Sequence, residues 1–295
     1  MLKNLIKLLR IKQWAKNLLV FAAWMFAGKY TDTSSTLAVV TAFFSMSFAS
    51  SGVYIFNDVL DRDRDKNHPR KKYRPIASGA FPVGPAVGVA FVLVGLSLAL
   101  AWSLTPTCFA LVLSYLLIQV AYNVTLKAVP VLDVFVIATG FVIRAVLGAS
   151  ALVVPISGWF LFCTGFLALM LGFAKRRNEF LVQADDASSS RESLVHYSRP
   201  ALDALVVMFA TCAVICYGVY TLESSAAHAH RSLILTAPLV FYGVTRYVLL
   251  VFTQDEGGEP ADLLFSDWHI IGSVVMFGVT AAMVLHGLNL PFLEP

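Results

Sequence analysis

The sequence predicts an all-α protein, a polytopic bundle of nine transmembrane helices with its N-terminus in the cytoplasm. Three observations carry this. Of the 295 residues 58% are hydrophobic and only 14% charged, with a mean hydropathy of +0.74, well outside the range of soluble domains. The apolar residues fall in runs close to the roughly 20 that cross a bilayer's hydrocarbon. The Lys and Arg residues gather on one side of those runs, as cytoplasmic loops do.

In chain order, residues 2–16 set Leu2, Leu5, Ile6, Leu8 and Leu9 among Lys3, Lys7, Arg10, Lys12 and Lys16. That pattern is an amphipathic helix lying on the inner leaflet. A signal peptide would also begin basic and turn apolar, but the run to Phe26 lacks a small-residue cleavage site and more spans follow. The spans are 17–29, 35–57, 83–104, 106–123, 131–152, 157–174, 201–222, 231–252 and 269–288. The first is short enough to need part of the amphipathic helix. With nine crossings the N-terminus and the segments 58–82, 124–130, 175–200 and 253–268 share a side. Five Lys or Arg lie in the N-terminus, seven in 58–82, one at Lys127 and five in 175–200, together 18 of the 22. This places those segments in the cytoplasm. The exceptions are Lys29 and Arg231 on the far side and Arg144 and Arg246 inside spans. The segment 253–268 is acidic, with Asp255, Glu256, Glu259, Asp262 and Asp267. The two longest charged segments follow the second and sixth spans, as two four-helix halves would arrange them.

A net charge of +4 and a pI near 8.9 would hint at nucleic acid in a soluble chain. Here they report topology, and no nucleic-acid partner is expected. Cys108, Cys163, Cys212 and Cys216 all fall in spans with no metal-ligand spacing and read as small buried apolar residues. No dinucleotide fingerprint, P-loop or zinc signature is present. Nothing fixes the oligomeric state, so a homo-oligomer stays open.

The stretch 57–79, NDVLDRDRDKNHPRKKYRPIASG, concentrates charge at the mouth of the second span. If the helix continues through it, Asn57, Asp58, Asp61 and Asp65 share one face, because offsets of three, four and seven return to the same side, while Asp63 points away. Carboxylates so placed repel one another unless a cation sits among them, and hard oxygen donors suit Mg²⁺, which leaves room for phosphate oxygens. The basic run of Lys66, His68, Arg70, Lys71, Lys72 and Arg74 would hold the rest of a phosphorylated ligand. A solvated mixed-charge loop is the plainer alternative. A second cluster, Lys175, Arg176, Arg177, Asn178 and Glu179 with Arg191, His196, Tyr197 and Arg199 beyond, is either an orientation signal or a grip on a second anion. The polar ADDASSS between them is a mobile cover or a linker. Asp133, Gly140 and Arg144 share a face of the fifth span. Arg144 lies about 20 Å along it, deep enough to be paired or to snorkel. Asp133, close to Tyr122, Asn123 and Lys127, reads as lining a cavity mouth. Lys12, Trp14, Lys16 and Asn17 fit interfacial anchors.

The motif Asn57, Asp58, Asp61 and Asp65 resembles the N-D-x-x-D-x-x-x-D signature of the UbiA-type intramembrane prenyltransferase superfamily. RIKQWAKN, YNVTLKAVPVLDVFVIATGFVIRA and AKRRNEFL make the chain similar to one branch, the polyprenyl-phosphate phosphoribosyltransferases, from about residue 7 to 222; the last two spans match only in hydropathy. The superfamily's second acidic motif, D-x-x-x-D, is replaced here by Lys175, Arg176 and Glu179, which argues against a prenyl diphosphate donor. Nor is there the acidic pair with a small-residue phosphate loop of soluble phosphoribosyltransferases. The resemblance implies one transmembrane catalytic domain, 1–295, moving 5-phosphoribose from phosphoribosyl diphosphate to a polyprenyl (decaprenyl) phosphate at the plasma membrane, for a cell-envelope polysaccharide precursor. Segments 58–82 and 175–200 would be its cytoplasmic active-site loops. It implies Asp58, Asp61, Asp65 and Asn57 on Mg²⁺ and the diphosphate, and Lys16, Asn17, Lys71, Lys72 and Arg74 around sugar and diphosphate. Lys127, Lys175 and Arg176 would meet the lipid phosphate, with Tyr122, Asp133 and Glu179 also at the substrates. A prenyltransferase using a prenyl diphosphate donor, and a non-enzymatic lipid carrier, are the rival readings.

Overall fold

The computed structural model describes residues 2–67, 71–185, 192–253 and 266–287. His68, Arg70, Arg191, the polar stretch 186–190 and the acidic residues Asp255, Glu256, Glu259 and Asp262 lie outside them. Among the described residues the chain is helical, without strands. The principal helices are α1 (Leu2–Leu9), α2 (Thr33–Leu60), α3 (Val83–Leu104), α4 (Pro106–Val124), α5 (Leu132–Leu152), α6 (Gly158–Asp185), α7 (Arg199–Glu223), α8 (Ala237–Thr253) and α9 (Trp268–Leu285). Eight segments among the described residues are long and apolar enough to cross a membrane: α2 to α7, α8 together with the 3₁₀ turns Arg231–Thr236, and α9. The protein is an integral membrane protein.

Their starts follow from local chemistry. Asp32 caps α2 by accepting from the backbone N–H of Ser34 and Ser35 at 3.2 and 3.0 Å. Hydrogen bonds from the hydroxyls and amides of Ser35 and Ser34 hold its carboxyl down at about 2. Thr105 caps α4 with Pro106 in the first helical position, and Ser198 and Asp267 cap α7 and α9.

Two expectations change. The first predicted span, 17–29, is not one α-helix. α1 stops at Leu9, Arg10 turns left-handed (φ 50°), and the chain runs as a 3₁₀ helix over Ile11–Phe21 before a short α-turn, Ala22–Phe26. A 3₁₀ helix eclipses every third residue. Trp14, Asn17 and Val20 therefore stand in one row: Trp14 donates to Ser51 at 3.0 Å, Asn17 to Ser47 at 3.0 Å, and Val20 is fully buried. Buried partners at three-residue spacing favour the tighter coil. The segment 175–200 is likewise no loop at its start. α6 continues to Asp185 because AKRRNEFLVQAD contains good helix formers and no Gly or Pro.

Backbone contacts divide the chain into two compact units, Met1–Leu126 with Ile143–Pro155, and Lys127–Val142 with Ile156–Pro295. In the first, small residues let α2 and α3 approach closely: Ser45 and Ser97 exchange hydroxyl-to-carbonyl hydrogen bonds at 2.8 and 2.7 Å, and Gly52 lies against Val94. Helices in lipid gain nothing from excluding water from one another, so such packing and hydrogen bonding hold them. Leu8 of α1 buries against Ile55, Ile76, Ala86 and Leu93, so the apolar face of that helix meets protein. In the second unit the core joins Val134, Met170, Phe173, Leu202, Val206, Tyr247 and Leu250, with Phe173 stacked on Phe209 at 5.5 Å. Of the cysteines, Cys108 and Cys216 are buried while Cys163 and Cys212 are only half-buried, since their helix faces are not fully covered.

Candidate active site

α2 pauses at Asp61 (φ −89°, ψ 7°) and resumes over Arg62–Lys66. The i→i+4 ladder survives the pause, with Asp61 N–H donating to the Asn57 carbonyl at 2.9 Å and Asp65 N–H to that of Asp61 at 2.8 Å. The offset of seven is therefore kept. Asp58 and Asp65 both turn inward, each 2% exposed, while Asn57 and Asp61 are half-buried. Asp63 leaves the stripe: its carboxylate is 88% exposed and takes Lys66 at 2.8 Å.

Two buried carboxylates on one face need cations. Arg74 supplies one, its Nη1 reaching Asp65 Oδ2 at 2.6 Å and Asp58 Oδ1 at 3.1 Å. Arg10 supplies the other, donating through Nη2 to the same Asp58 oxygen. The Arg10 guanidinium also lies over the Tyr54 ring, 4.7 Å from its centroid. The turn behind Arg10 is fixed by Ser51 Oγ donating to the Leu9 carbonyl at 2.7 Å. Lys71 and Lys72 stand exposed on a 3₁₀ turn, with Lys72 over the Tyr73 ring. Arg10 and Tyr54 escaped the reading of the sequence. The available sign was that Arg10 is the one Arg among four Lys in residues 2–16, and a planar guanidinium suits a shared carboxylate better than an ammonium does.

Asn17, expected among the substrate residues, lies in the interior. It is fully buried, donates to Ser47 and Ser50 at 3.0 and 3.3 Å, and accepts from Arg144 Nε at 2.7 Å. Arg144 also donates to the Tyr115 hydroxyl at 3.3 Å and lies over its ring. The deep Arg is thus paired and does not snorkel. Lys16 is half-buried next to Asn17 in sequence.

In the second unit, Gly172 lets α6 press on α5: a Cβ there would lie 2.4 Å from Val134 Cγ1. One turn on, Arg176 Nε reaches the fully buried Asp133 at 2.8 Å, and its Nη1 binds Glu179. Arg176 is 2% exposed with a carboxylate at two of its donors, and Asp133 keeps Oδ1 without a hydrogen-bond partner. This geometry makes Arg176 the shared counterion of Asp133 and Glu179. Arg177 is buried too, donating to Asp203 at 2.6 Å and to the Val251 carbonyl at 2.8 Å. Ahead of Asp133, Val131 is held at φ 66° with its N–H on the Tyr197 hydroxyl. Tyr122, Lys127 and Lys175 are half-buried.

Among the described residues no three His, Cys, Asp or Glu side chains are gathered as a metal cage. Asp58 and Asp65 nevertheless offer hard oxygens converging on one cationic group, the Arg74 guanidinium, and a place that holds a guanidinium between carboxylates is chemically suited to a divalent cation.

A model of the UbiA prenyltransferase family matches residues 18–287. The match takes in the last two spans, where the residue-by-residue resemblance gave out. Decaprenyl-phosphate phosphoribosyltransferase of Mycobacterium tuberculosis is 35% identical over 291 residues, covering 93% of this chain and 95% of that protein. The Corynebacterium glutamicum protein of the same name is 34% identical over 270 residues, covering 90% of this chain and 81% of its own. Among solved structures, a UbiA homolog from Archaeoglobus fulgidus bound to DMAPP and Mg²⁺ shares the fold, with a TM-score of 0.73 at 20% identity over 95% of this chain and 96% of that one. On the family match and this near full-length similarity, the chain belongs to the UbiA prenyltransferase family.

Proposed function

We propose that the protein transfers 5-phosphoribose from phosphoribosyl diphosphate to a polyprenyl (decaprenyl) phosphate, releasing diphosphate. The chemistry would take place on the cytoplasmic side of the plasma membrane, in one transmembrane catalytic domain, and the product would supply pentose for a cell-envelope polysaccharide. The observation that carries this reading is the 35% identity, over 93% of the chain, to a protein named for that reaction. The site chemistry supports it: the second charged segment holds Arg176 between Asp133 and Glu179, where prenyl diphosphate users have a second acidic motif.

Asp58, Asp61 and Asp65, with Asn57, would hold Mg²⁺, which neutralises charge building on the leaving diphosphate. Arg74, Arg10, Lys71 and Lys72 take the diphosphate and sugar-phosphate oxygens. Lys175, Arg176 and Lys127 position the lipid phosphate, with Asp133 and Glu179 holding the Arg176 guanidinium in place. The anomeric C–O bond to diphosphate breaks as a C–O bond to the lipid phosphate forms. That phosphate is already an anion near neutral pH, so no side chain has to take a proton. The residues contribute orientation above all, and direct displacement inverts the anomeric centre.

The Archaeoglobus structure with DMAPP and Mg²⁺ favours a second reading, a prenyl diphosphate donor with an aromatic or other acceptor. Presenting detergent-purified protein with labelled phosphoribosyl diphosphate plus polyprenyl phosphate, and separately with labelled prenyl diphosphate plus an aromatic acceptor, decides between them. Labelled phosphoribosyl lipid in the first mixture, lost with EDTA, and no alkylated acceptor in the second is the expected result. Alkylated acceptor in the second mixture, with none in the first, would replace this reading by the other.

A further inference from the structure

The two guanidiniums on the acidic stripe do more than balance charge. Asp58 and Asp65 are 2% exposed, whereas the side chains of Arg10 and Arg74 that bind them are 21% and 26% exposed, so the carboxylates are shut from water while their cationic partners reach it. Two carboxylates and two guanidiniums sum to zero. A divalent cation approaching this set meets oxygens already engaged, and gains little until at least Arg74 leaves. If both guanidiniums moved away without a new partner, two buried carboxylates, a divalent cation and two displaced positive charges would carry +2. That excess needs a polyanion, and Asp61, half-buried beside them, offsets only one charge. A diphosphate carries enough negative charge and presents the bidentate oxygens that Arg binds best.

The local framework allows the exchange. Arg10 projects from a fixed left-handed turn whose backbone is tied to Ser51, so its side chain can rotate off Asp58 without moving α1. Arg74 begins the turn Arg74–Ser78, which is closed by Ser78 N–H on the Arg74 carbonyl at 2.9 Å and anchored by buried Ile76.

We propose that Arg10 and Arg74 make divalent-metal binding at Asp58 and Asp65 conditional on the diphosphate-bearing donor. Without it they hold the carboxylates themselves; with it they turn to the phosphate oxygens and release the carboxylates. The inference rests on the reading of Asp58 and Asp65 as metal ligands. It makes the two ligands enter together and keeps the stripe from being loaded with metal alone.

Equilibrium dialysis of Mn²⁺ against the full-length protein in detergent, with and without inorganic diphosphate, tests it without any turnover. Parallel cells with an Asp58→Asn/Asp65→Asn variant correct for Mn²⁺–diphosphate held elsewhere. Wild type is expected to retain Mn²⁺ about tenfold or more tightly when diphosphate is present, within the usual range for coupled sites. Arg74→Gln is expected to bind Mn²⁺ alone more tightly than wild type and to lose most of the coupling. Arg10→Gln, which leaves the Arg74 bridge in place, gives the same change in smaller measure should Arg74→Gln fail to fold. Equal Mn²⁺ affinity with and without diphosphate in wild type, or unchanged affinity in Arg10→Gln, overturns the proposal while leaving the metal site intact. Retention in both conditions no greater than that of the Asp58→Asn/Asp65→Asn variant removes the metal site, and the proposal with it.

Discussion

Asn17 shows how one neutral amide can hold a charge inside a membrane protein. Its oxygen takes Arg144 Nε and its nitrogen reaches Ser47 and Ser50, so the guanidinium, the 3₁₀ segment and α2 are tied through one side chain. Asn17→Ala leaves Arg144 buried with a donor unmet, a loss of roughly 2–3 kcal/mol for a hydrogen bond to a charged group. The expected result is a melting temperature lowered by several degrees in detergent, read by circular dichroism or by static light scattering. A melt unchanged within a degree would mean that Arg144 leans on Tyr115 instead. At this scale the sequence was legible for the acid stripe, whose spacing put Asn57, Asp58, Asp61 and Asp65 on one face and Asp63 off it; Asp58 and Asp65 are buried, Asn57 and Asp61 half-buried and Asp63 exposed. It was not legible for the cations that meet the stripe. Arg10 is 48 residues from Asp58, and Arg176 is 43 from Asp133, separations at which helical periodicity says nothing.

At the scale of elements, packing depends on a few glycines. A Cβ on Gly148 of α5 would fall 2.0 Å from the Val20 carbonyl oxygen, backbone that cannot step aside. Gly148→Ala is therefore expected to push the 3₁₀ helix off α5 and cost about 1–3 kcal/mol or more, as overpacking does. Gly88 of α3 has open space around its Cβ position, so Gly88→Ala should be neutral or gain about 0.5–1 kcal/mol in helix propensity. Thermal melts of the pair in one detergent measure the contrast, and similar melts would deny the close approach at Gly148. The spans themselves were readable because apolar length is a one-dimensional property; 83–104 coincides with α3 residue for residue. The 3₁₀ helix was not, because its row of Trp14, Asn17 and Val20 has meaning only beside the serines of α2. The extension of α6 past the expected span 157–174 was signalled by helix formers, but the charges of Lys175 to Glu179 outweighed them.

For the whole molecule, the N-terminal stretch sets the topology. The 3₁₀ helix of 11 residues and the α-turn of five that follows it reach roughly 30 Å at 2.0 and 1.5 Å per residue, enough to cross the hydrocarbon despite not being one α-helix. If this stretch makes a ninth crossing beside the eight long apolar helices, Lys7 and Lys29 lie on opposite sides. With the four cysteines replaced by Ala, Lys7→Cys should react with an impermeant maleimide only in inside-out vesicles and Lys29→Cys only in right-side-out cells. Both reacting from one side would reduce the crossings to eight.

If the inward carboxylates of this stripe drive phosphoribosyl transfer to a lipid phosphate, replacing one of them must cost far more than replacing the outward Asp63. Label passing from phosphoribosyl diphosphate into the polyprenyl phosphate phase should fall by about 100-fold or more in Asp58→Asn, the scale on which electrostatic catalytic groups act. It should stay within about twofold of wild type in Asp63→Asn, because that carboxylate is 88% exposed and pairs with the surface Lys66. Equal transfer by Asp58→Asn and Asp63→Asn would show that the inward stripe does not drive the reaction, and no transfer by the wild-type protein would show that the reaction is another one.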